Sequence, residues 1–428
     1  MTTRIEYLKQ VREKYLETTS IQELASRLRP RSLQDHPLEA TLPAMKEMAA
    51  GGSSVLRQSL AKQGKSLPKV TGDQPPVMDD AVYARNIENF VGLCTIPVGL
   101  AGPLRVNGLN AKGDFLIPLA TTEAALVASF HRGCKAITLS GGVAAACIIE
   151  KIGRAPIFIF KDMCDALVFG AWVVSQEPKI KEVAESTSRY AKLVDVNITL
   201  NGQDVVLFLE YSTGDASGQN MVTIASDAVG HWLAANTPVP MKRWYIESNM
   251  SGDKKATALS FIHTRGKRVT AEARIPEDIC VGVLKAKPKD LYDAWKVSMV
   301  ASVQSGAIGS QSHYANGLTA LFIATGQDAA CTAEAAVGLT EYAVEDDGSL
   351  LVSVCLPNLV LGTVGGGTSL PTQRECLELM DCYGPGKASK LAEICAGMIM
   401  AGEISITAAI AAGHFAQAHK AMARGPGK

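Results

Sequence analysis

Aromatic side chains are few in this chain of 428 residues, and its formal net charge is zero. Phe, Trp and Tyr make up 6% of the residues while hydrophobic residues reach 47%, so we expect an aliphatic core rich in alanine. The 42 basic and 42 acidic residues cancel, which argues against a broad charged surface for nucleic acid or membranes. A local basic pocket for a phosphorylated ligand is compatible with this balance. The length allows a large core and two or three domains.

Several widespread motifs are also missing. The sequence contains no G-x-G-x-x-G fingerprint, Walker P-loop, Ser-centred nucleophile elbow or H-E-x-x-H pair. The simplest signals for nucleotide binding, acyl transfer and zinc hydrolysis are therefore absent. His414 and His419 lie five residues apart, which places them about 140° apart around a helix. We therefore predict no metal site.

The ten cysteines form no C-x-x-C pair. Several of them, such as Cys147, Cys355 and Cys395, lie in apolar sequence. That setting is typical of reduced, buried thiols in a cytoplasmic protein. A reactive thiol is the alternative interpretation.

Long apolar runs are few. The first six residues contain no apolar segment, so no signal peptide is predicted. The longest apolar stretch, residues 394–412, is interrupted by Glu403. We predict a buried helix there rather than a membrane span, which needs about 20 apolar residues.

Turn-forming segments divide the chain into three parts. Residues 1–80 look helical and polar, with a glycine- and serine-rich loop at 51–54 and a break at 71–76. Residues 81–155 and 246–428 mix helices with strands, and we assign them to one large α/β domain. Residues 156–245 form a separable, inserted part.

This inserted part shows a regular order of elements. Its predicted elements are a strand at 157–160, a helix around 180–191, a strand at 194–200, a turn at Asn201-Gly202, a strand at 205–211, a helix at 221–235 and a strand at 243–246. The order βαββαβ is that of a ferredoxin-like domain. The predicted fold class is thus α+β, with a helical N-terminal arm, a large α/β domain containing a central buried helix, and an inserted ferredoxin-like domain.

The segment from Glu247 to Lys255 is the most informative in the chain. Asp253 and two lysines follow a small, turn-forming run and precede apolar residues. A cation fixed beside a carboxylate can polarise a carbonyl and hold a developing oxyanion. Asp-Lys-Lys alone is more often a solvated surface cluster, so its meaning depends on other segments.

Two acidic residues stand alone in apolar sequence. Glu123 lies at the start of a helix predicted over about 122–136, with Thr121 or Thr122 as its N-cap. Asp328 follows a Gly-Gln pair. A carboxylate in such a setting is either part of a buried ion pair or a general acid whose pKa is raised by burial. The residues alone leave both interpretations open.

Two glycine-rich loops are candidates for ligand binding. Residues 214–221 lie between a predicted strand and a predicted helix, where free backbone N–H groups can meet a phosphate. Residues 362–368 contain three consecutive glycines, which indicate either a ligand-facing backbone or a tight turn.

Nine short motifs follow one another along the chain and include the segments described above. They are ENFVG, IPVGLAGPL, ATTEAALVAS, RGCKAI, GDASGQNM, DKKATA, GQDAA, GTVGGGT and AGHFAQAH, spread between Glu88 and Arg424. Together they resemble the catalytic domain of 3-hydroxy-3-methylglutaryl-CoA (HMG-CoA) reductases, and the Asp-Lys-Lys form resembles the biosynthetic branch of eukaryotes and archaea. The resemblance implies reduction of HMG-CoA to mevalonate and CoA by two hydrides from NADPH, through a mevaldehyde-level intermediate. It also implies a homodimer or dimer of dimers with the active site between subunits.

Four residues match the catalytic positions of the family: Glu123, Lys254, Asp328 and His419. By this resemblance Lys254 stabilises the carbonyl oxygen as it becomes an oxyanion, and Glu123 supplies a proton. Asp328 ties Glu123 to Lys254, and His419 protonates the departing CoA thiolate. These roles suit the residue types.

The resemblance extends to binding positions. The substrate- and CoA-binding matches are Ser129, Arg132, Arg154, Ser248, Asp253, Lys255, Lys296 and Asn316. The cofactor-binding matches are Ser188, Arg189, Tyr190, Asp215, Ser217, Gly218, Gln219, Asn220, Gly365, Gly366, Gly367, Thr368 and Arg424. The family's Ser-Gly-Asn reads Glu247-Ser248-Asn249 here, so either Glu247 or Ser248 meets the substrate, and we favour Ser248.

Cofactor choice and direction stay open at this stage. Arg189, assisted by Arg424, can pair with the 2′-phosphate of NADPH, so we expect NADPH rather than NADH. One alternative is NAD-dependent mevalonate oxidation in the reverse direction. Another is a catalytically silent regulator that binds CoA or a nucleotide on the same fold, which the four catalytic matches argue against.

Overall fold

The structure is a computed structural model that describes residues 12, 15, 19–74 and 80–413. The helices are α1 Ile21–Leu28, α2 Met45–Lys62, α3 Pro68–Thr71, α4 Asp80–Tyr83, α5 Leu126–Leu139, α6 Met163–Ser175, α7 Glu177–Ser186, α8 Gln219–Asn236, α9 Glu277–Ile279, α10 Pro288–Ser305, α11 Tyr314–Thr325, α12 Thr332–Ala335, α13 Pro371–Leu379 and α14 Ala388–Ala411. The strands are β1 Val98–Gly108, β2 Lys112–Ala120, β3 Val143–Arg154, β4 Ile157–Phe160, β5 Lys192–Asn201, β6 Asp204–Ser212, β7 Met241–Tyr245, β8 Gly266–Ile275, β9 Leu339–Val344 and β10 Leu350–Leu359.

The ten strands are joined through β3 into one mainly antiparallel sheet. Residues 144–151 of β3 pair with β8, which continues to β10 and β9. Residues 152–154 of the same strand pair with β6. The hairpin of β1 and β2 lies beside β3, where β1 runs parallel to it. A single strand therefore belongs to both halves of the molecule.

The strands between residues 157 and 245 follow the order β7-β4-β6-β5, with every pair antiparallel. The predicted strand at 157–160 is confirmed, and the strands predicted at 194–200 and 205–211 and the helix predicted at 221–235 are confirmed with slightly longer bounds. The last strand lies at Met241–Tyr245 rather than at 243–246, and the helix predicted around 180–191 is α7, which ends at Ser186. Gly202 has φ 60°, as a tight hairpin turn requires. Helix α6 was not predicted, because both its buried and its exposed faces are apolar and periodicity is lost.

Two local predictions need correction. The loop predicted at 51–54 is reduced to a kink at Gly52, whose non-helical backbone (φ 61°, ψ −155°) joins the two helical stretches that make up α2. Helix α5 begins at Leu126 after Ala125 in the left-handed conformation, not near Thr122. The Thr121 hydroxyl instead accepts the N–H of Glu123 at 3.0 Å. A single glycine with positive φ is enough for the change of direction within α2, and the Thr121 hydroxyl caps the turn before α5 rather than the helix itself.

Helix α14 is the central buried helix, as predicted. It packs against α5 and the strands β3, β8 and β10. It is long and apolar enough to cross a membrane, and 83% of its most apolar window is buried within the protein. Its two acidic residues are satisfied inside: Glu393 accepts the N–H groups of Ala111 and Cys147 at 2.7 and 3.0 Å, and Glu403 accepts those of two loop residues. Buried carboxylates are tolerated when hydrogen-bonded in this way.

Candidate active site

Lys254 and Asp328 form an ion pair, with Nζ 2.9 Å from Oδ2. Their side chains are 43% and 38% exposed, so a ligand can reach both. The hydrogen bond to Asp328 raises the pKa of Lys254. Burial raises the pKa of Asp328, but hydrogen bonds from Lys254 and the Ala330 amide outweigh it and hold that pKa below its ordinary value. The pair is therefore charged at neutral pH and presents an ammonium group to solvent.

The two glycine loops lie against the Asp328 segment. The Gln327 amide exchanges two hydrogen bonds with the backbone of Gly362, at 2.8 and 2.9 Å. Thr363 N–H donates to the Asp215 carbonyl at 2.8 Å. A Cβ on Gly326 would fall 2.2 Å from the carbonyl oxygen of Gly367, so only glycine allows this approach. Loops 214–220 and 362–368 thus converge beside Asp328.

Gln219 connects one loop directly to the ion pair. Its Nε2 donates to Asp328 Oδ2 at 3.4 Å and to Cys331 Sγ at 2.9 Å. Gln219 opens helix α8 after Gly218, which has φ 84°. The Ser217–Asn220 stretch therefore presents the amino end of a helix of 18 residues beside Lys254 and Asp328.

Glu123 lies with a different partner. It is exposed and accepts Asn316 Nδ2 at 3.1 and 3.3 Å. In the part of the chain that the structure describes, no hydrogen bond or ion pair links it to Lys254 or Asp328. The structure therefore brings together Lys254 with Asp328, and Glu123 with Asn316, as two separate units.

His313 is a site neighbour that sequence reasoning missed. Its Nε2 lies 3.0 Å from Asn316 Nδ2, and its ring stacks on Phe130. Burial lowers the pKa of His313 to about 4, so the ring is neutral and Nε2 can accept the Asn316 hydrogen bond. The backbone N–H of His313 donates to Glu403, and burial raises the pKa of that carboxyl to about 7. No local pattern marks a single histidine before a helix.

A cleft of about 820 Å³ contains Glu123 and Asn316 in its wall. Basic side chains also line it: His131, Arg132, Lys135 and Lys285. Arg132 is fixed by hydrogen bonds to the hydroxyl (3.0 Å) and carbonyl (2.6 Å) of Ser405, and Ser129 donates to the same hydroxyl. This is a local basic pocket of the kind that the neutral composition allows.

Two ion pairs and a hydrogen bond stabilise the turn that precedes Lys254. Asp253 pairs with Arg154 at 2.7 Å and Arg265 at 2.8 Å, and Lys255 Nζ donates to the Asp253 carbonyl. Burial raises the pKa of Asp253, but both arginines outweigh it and lower that pKa.

Both candidates for substrate contact before this turn have protein partners. Ser248 Oγ donates to the Ala155 carbonyl at 2.8 Å. Glu247 accepts the Ser251 hydroxyl at 2.9 Å and lies 3.4 Å from Arg154. The choice between Ser248 and Glu247 stays open.

The remaining predicted cofactor residues fall in three places. Ser188, Arg189 and Tyr190 line an open depression of about 620 Å³, where Arg189 lies over the Tyr190 ring. Asp215 uses both carboxylate oxygens on the backbone N–H groups of Gly386 and Ala388, at 2.7 and 3.0 Å. Along the second glycine loop, the structure exposes Gly365 and Gly366, half-buries Gly367 and buries Thr368.

Three predicted residues lie apart from these groups. Lys296 is exposed on α10. His419 and Arg424 lie outside the described residues. Among the residues described, no group of three or more His, Cys, Asp or Glu is arranged to hold a metal ion.

Comparisons with known proteins show the family to which the chain belongs. The family described as Hydroxymethylglutaryl-coenzyme A reductase matches residues 54–424. The 3-hydroxy-3-methylglutaryl-coenzyme A reductase of Aeropyrum pernix is 42% identical over 414 residues, covering 95% of this chain and 96% of that protein. The reductase of Methanocaldococcus jannaschii is 42% identical over 351 residues, covering 81% of this chain and 86% of that protein.

A solved structure shares the fold. The class II 3-hydroxy-3-methylglutaryl-CoA reductase of Streptococcus pneumoniae, bound to NADPH, aligns with a TM-score of 0.66 at 18% identity. The alignment covers 86% of this chain and 97% of that one. The match to the family over most of the length confirms the resemblance seen in the motifs. The chain belongs to the HMG-CoA reductase family of oxidoreductases.

Proposed function

We propose that this protein reduces HMG-CoA to mevalonate and CoA, oxidising two molecules of NADPH and taking up two protons, as a step of isoprenoid synthesis by the mevalonate pathway. The observation that carries this proposal is the Lys254–Asp328 pair, an accessible ammonium group at the meeting point of two glycine loops. Family membership supports the overall reaction. The choice of NADPH and the mevaldehyde-level intermediate are proposals.

Each proposed catalytic residue has a role that suits the chemistry of its side chain. Lys254 stabilises the carbonyl oxygen as it gains negative charge in each reduction. Asp328 keeps Lys254 protonated and oriented. Glu123, held by Asn316 in the wall of the basic cleft, supplies a proton, and His419 protonates the CoA thiolate as it leaves. The loss of CoA separates the two reductions.

The nucleotide fits the glycine loops and the start of α8. NADPH supplies the hydride when bound, and backbone N–H groups at the start of α8 suit its phosphates. Exposed Gly365 and Gly366 leave room for close approach. Arg189, whose guanidinium is exposed beside Tyr190, suits the 2′-phosphate.

The domain organisation and assembly are also proposals. We assign residues 156–245 to an inserted ferredoxin-like domain, 1–80 to an N-terminal arm, and 81–155 with 246–428 to the catalytic domain. The strand order β7-β4-β6-β5 supports the insertion. An exposed apolar stripe on α10, formed by Val297, Val300 and Val303, supports a homodimer or dimer of dimers. We propose a cytoplasmic enzyme.

A spectrophotometric assay tests the proposed reaction. HMG-CoA with NADPH should give loss of nicotinamide absorbance with two NADPH oxidised for each mevalonate formed. Turnover only with mevalonate, CoA and NAD would instead establish the oxidative direction. CoA binding without turnover with either cofactor would establish the silent regulator.

Replacement of Arg189 by alanine tests cofactor choice. Arg189→Ala should raise the KM for NADPH far more than the KM for NADH, because only NADPH carries the 2′-phosphate that the guanidinium can pair with. Steady-state kinetics with each cofactor measure this. Lys192→Ala, a neighbouring cation of the same depression, is the matched control. Equal effects on both cofactors would remove Arg189 from this role.

Replacement of His419 by glutamine separates the two half-reactions. His419→Gln should strongly slow conversion of HMG-CoA to mevalonate but spare reduction of free mevaldehyde, which has no CoA to expel. A thiol with a pKa of about 8.5 leaves more readily when it is protonated on departure. His414→Gln is the control and should be mild. Equal losses in both half-reactions would show that His419 acts elsewhere.

A further inference from the structure

The backbone of Lys254 adopts the left-handed conformation, with φ 56°. A residue other than glycine is disfavoured there and persists only where its surroundings determine it. The Lys254 N–H donates to Glu334 Oε1 at 3.1 Å. Glu334 lies on α12 and is completely buried. The conformation that directs the Lys254 side chain is thus held by a carboxylate 80 positions along the chain.

Arg265 connects this carboxylate to the residue before Lys254. It is 2% exposed, and its two terminal nitrogens lie 2.6 Å from Glu334 Oε1 and 2.8 Å from Asp253 Oδ1. Asp253 in turn pairs with Arg154. Arg265 therefore links the groups that fix the turn on both sides of the Asp253–Lys254 peptide.

Stability alone gives a weak reason for this arrangement. Buried ion pairs contribute little over an apolar replacement because removing charges from water is costly. Glu334 Oε2 is buried without a hydrogen-bond partner, and burial raises the pKa of Glu334 while Arg265 opposes that rise. Burial of the Glu334 carboxyl group therefore costs folding free energy. This group lies next to Lys254, which carries the exposed ammonium.

We infer that Glu334 and Arg265 are positioning residues that hold the backbone of Lys254 so that its ammonium group meets Asp328. This inference rests on the proposed function, since it concerns the catalytic role of Lys254. Glu334 acts on Lys254 directly through its backbone N–H, and Arg265 acts through Glu334 and Asp253.

The test compares two buried glutamates. Glu334→Gln keeps the shape of the side chain but removes the charge that binds Arg265. Glu393→Gln is the matched control, because Glu393 is equally buried and also accepts backbone N–H groups, but none from Lys254. Glu334→Gln should lower kcat up to about 100-fold, the loss that a misplacement of about 1 Å can cause. The KM for the nicotinamide should stay unchanged, and mevaldehyde reduction should fall equally, since both reductions need Lys254.

A second measurement does not depend on activity. Reductive methylation with ¹³C labels the lysines for NMR, and the Lys254 signal is assigned by its loss in Lys254→Ala. The signal should titrate above ordinary lysines in the native protein and in Glu393→Gln, and fall toward them in Glu334→Gln. Arg265→Lys keeps the positive charge but cannot contact Glu334 and Asp253 at once. In this variant the Lys254 signal should titrate between those of the native protein and Glu334→Gln.

Two outcomes would overturn the inference. One is an unchanged Lys254 titration in a folded Glu334→Gln variant. The other is a kcat loss no larger than that of Glu393→Gln at equal thermal stability. If the native protein fails to turn over HMG-CoA while the Lys254 signal still responds to Glu334→Gln, the proposed function fails and the positioning stands.

Discussion

Lys254→Ala is expected to lower the turnover of HMG-CoA roughly 100- to 1000-fold, the usual cost of losing a positioned donor to an oxyanion. Mevaldehyde reduction should fall by a similar factor, because each hydride transfer of the proposed reaction would create negative charge on a carbonyl oxygen. The ammonium group is available for this role, since it is 43% exposed and paired with Asp328 on one side only. Single-turnover kinetics with each substrate measure both losses.

Lys255→Ala is the matched control for this result. Its ammonium donates to the Asp253 carbonyl rather than to Asp328, so its loss should mainly raise the KM for HMG-CoA. A dead Lys255→Ala variant beside an active Lys254→Ala variant would show that the catalytic lysine has been placed one position too early.

Asp328→Ala is expected to cost nearly as much as Lys254→Ala, by about 100-fold in kcat. Without its carboxylate, Lys254 loses the 2.9 Å contact that orients it and raises its pKa. Because the two residues act as one unit, the double variant should be no slower than the worse single variant. The three variants measured against the native protein form a double-mutant cycle that checks this.

Glu23→Ala is the control that removes an ion pair that includes neither Lys254 nor Asp328. Glu23 pairs with Arg27 on the exposed surface of α1, at 3.0 Å, and pairs of that kind contribute little to stability. This variant should keep native kcat. Multiplicative effects of Lys254→Ala and Asp328→Ala would instead mean that the two residues act independently and that their contact in the structure has no catalytic importance.

Structural elements that depend on neighbouring residues could be predicted well from the sequence. The strand at 194–200 alternates, and the Asn201-Gly202 pair marks its turn, so this hairpin follows from chemistry within a few residues. Lys254 and Asp328 were selected through the resemblance of their motifs to those of the family, and the structure places their charged groups 2.9 Å apart. Central helix α14 was recognised because Glu403 and glycines break an otherwise membrane-like run.

Residues whose role depends on distant partners could not be predicted. Glu334 meets Lys254 across 80 positions and Arg265 across 69, and nothing near Glu334 in sequence signals either contact. His313 depends in the same way on Asn316, Phe130 and the distant Glu403. The link expected between Glu123 and Asp328 rested on family resemblance, and the structure instead gives Glu123 the Asn316 amide as its partner.

The shared strand β3 has a mechanical consequence. Because residues 144–151 pair with β8 and residues 152–154 pair with β6, no flexible linker separates the two halves of the sheet at this crossing. Large hinge rotations need a few residues that absorb changes in backbone angle, and the paired residues on both sides of this crossing resist such changes. The loop at 214–220 follows β6, which pairs with the end of β3. We therefore expect its distance from Asp328 to change by twisting of this strand pair rather than by rotation of a hinged domain.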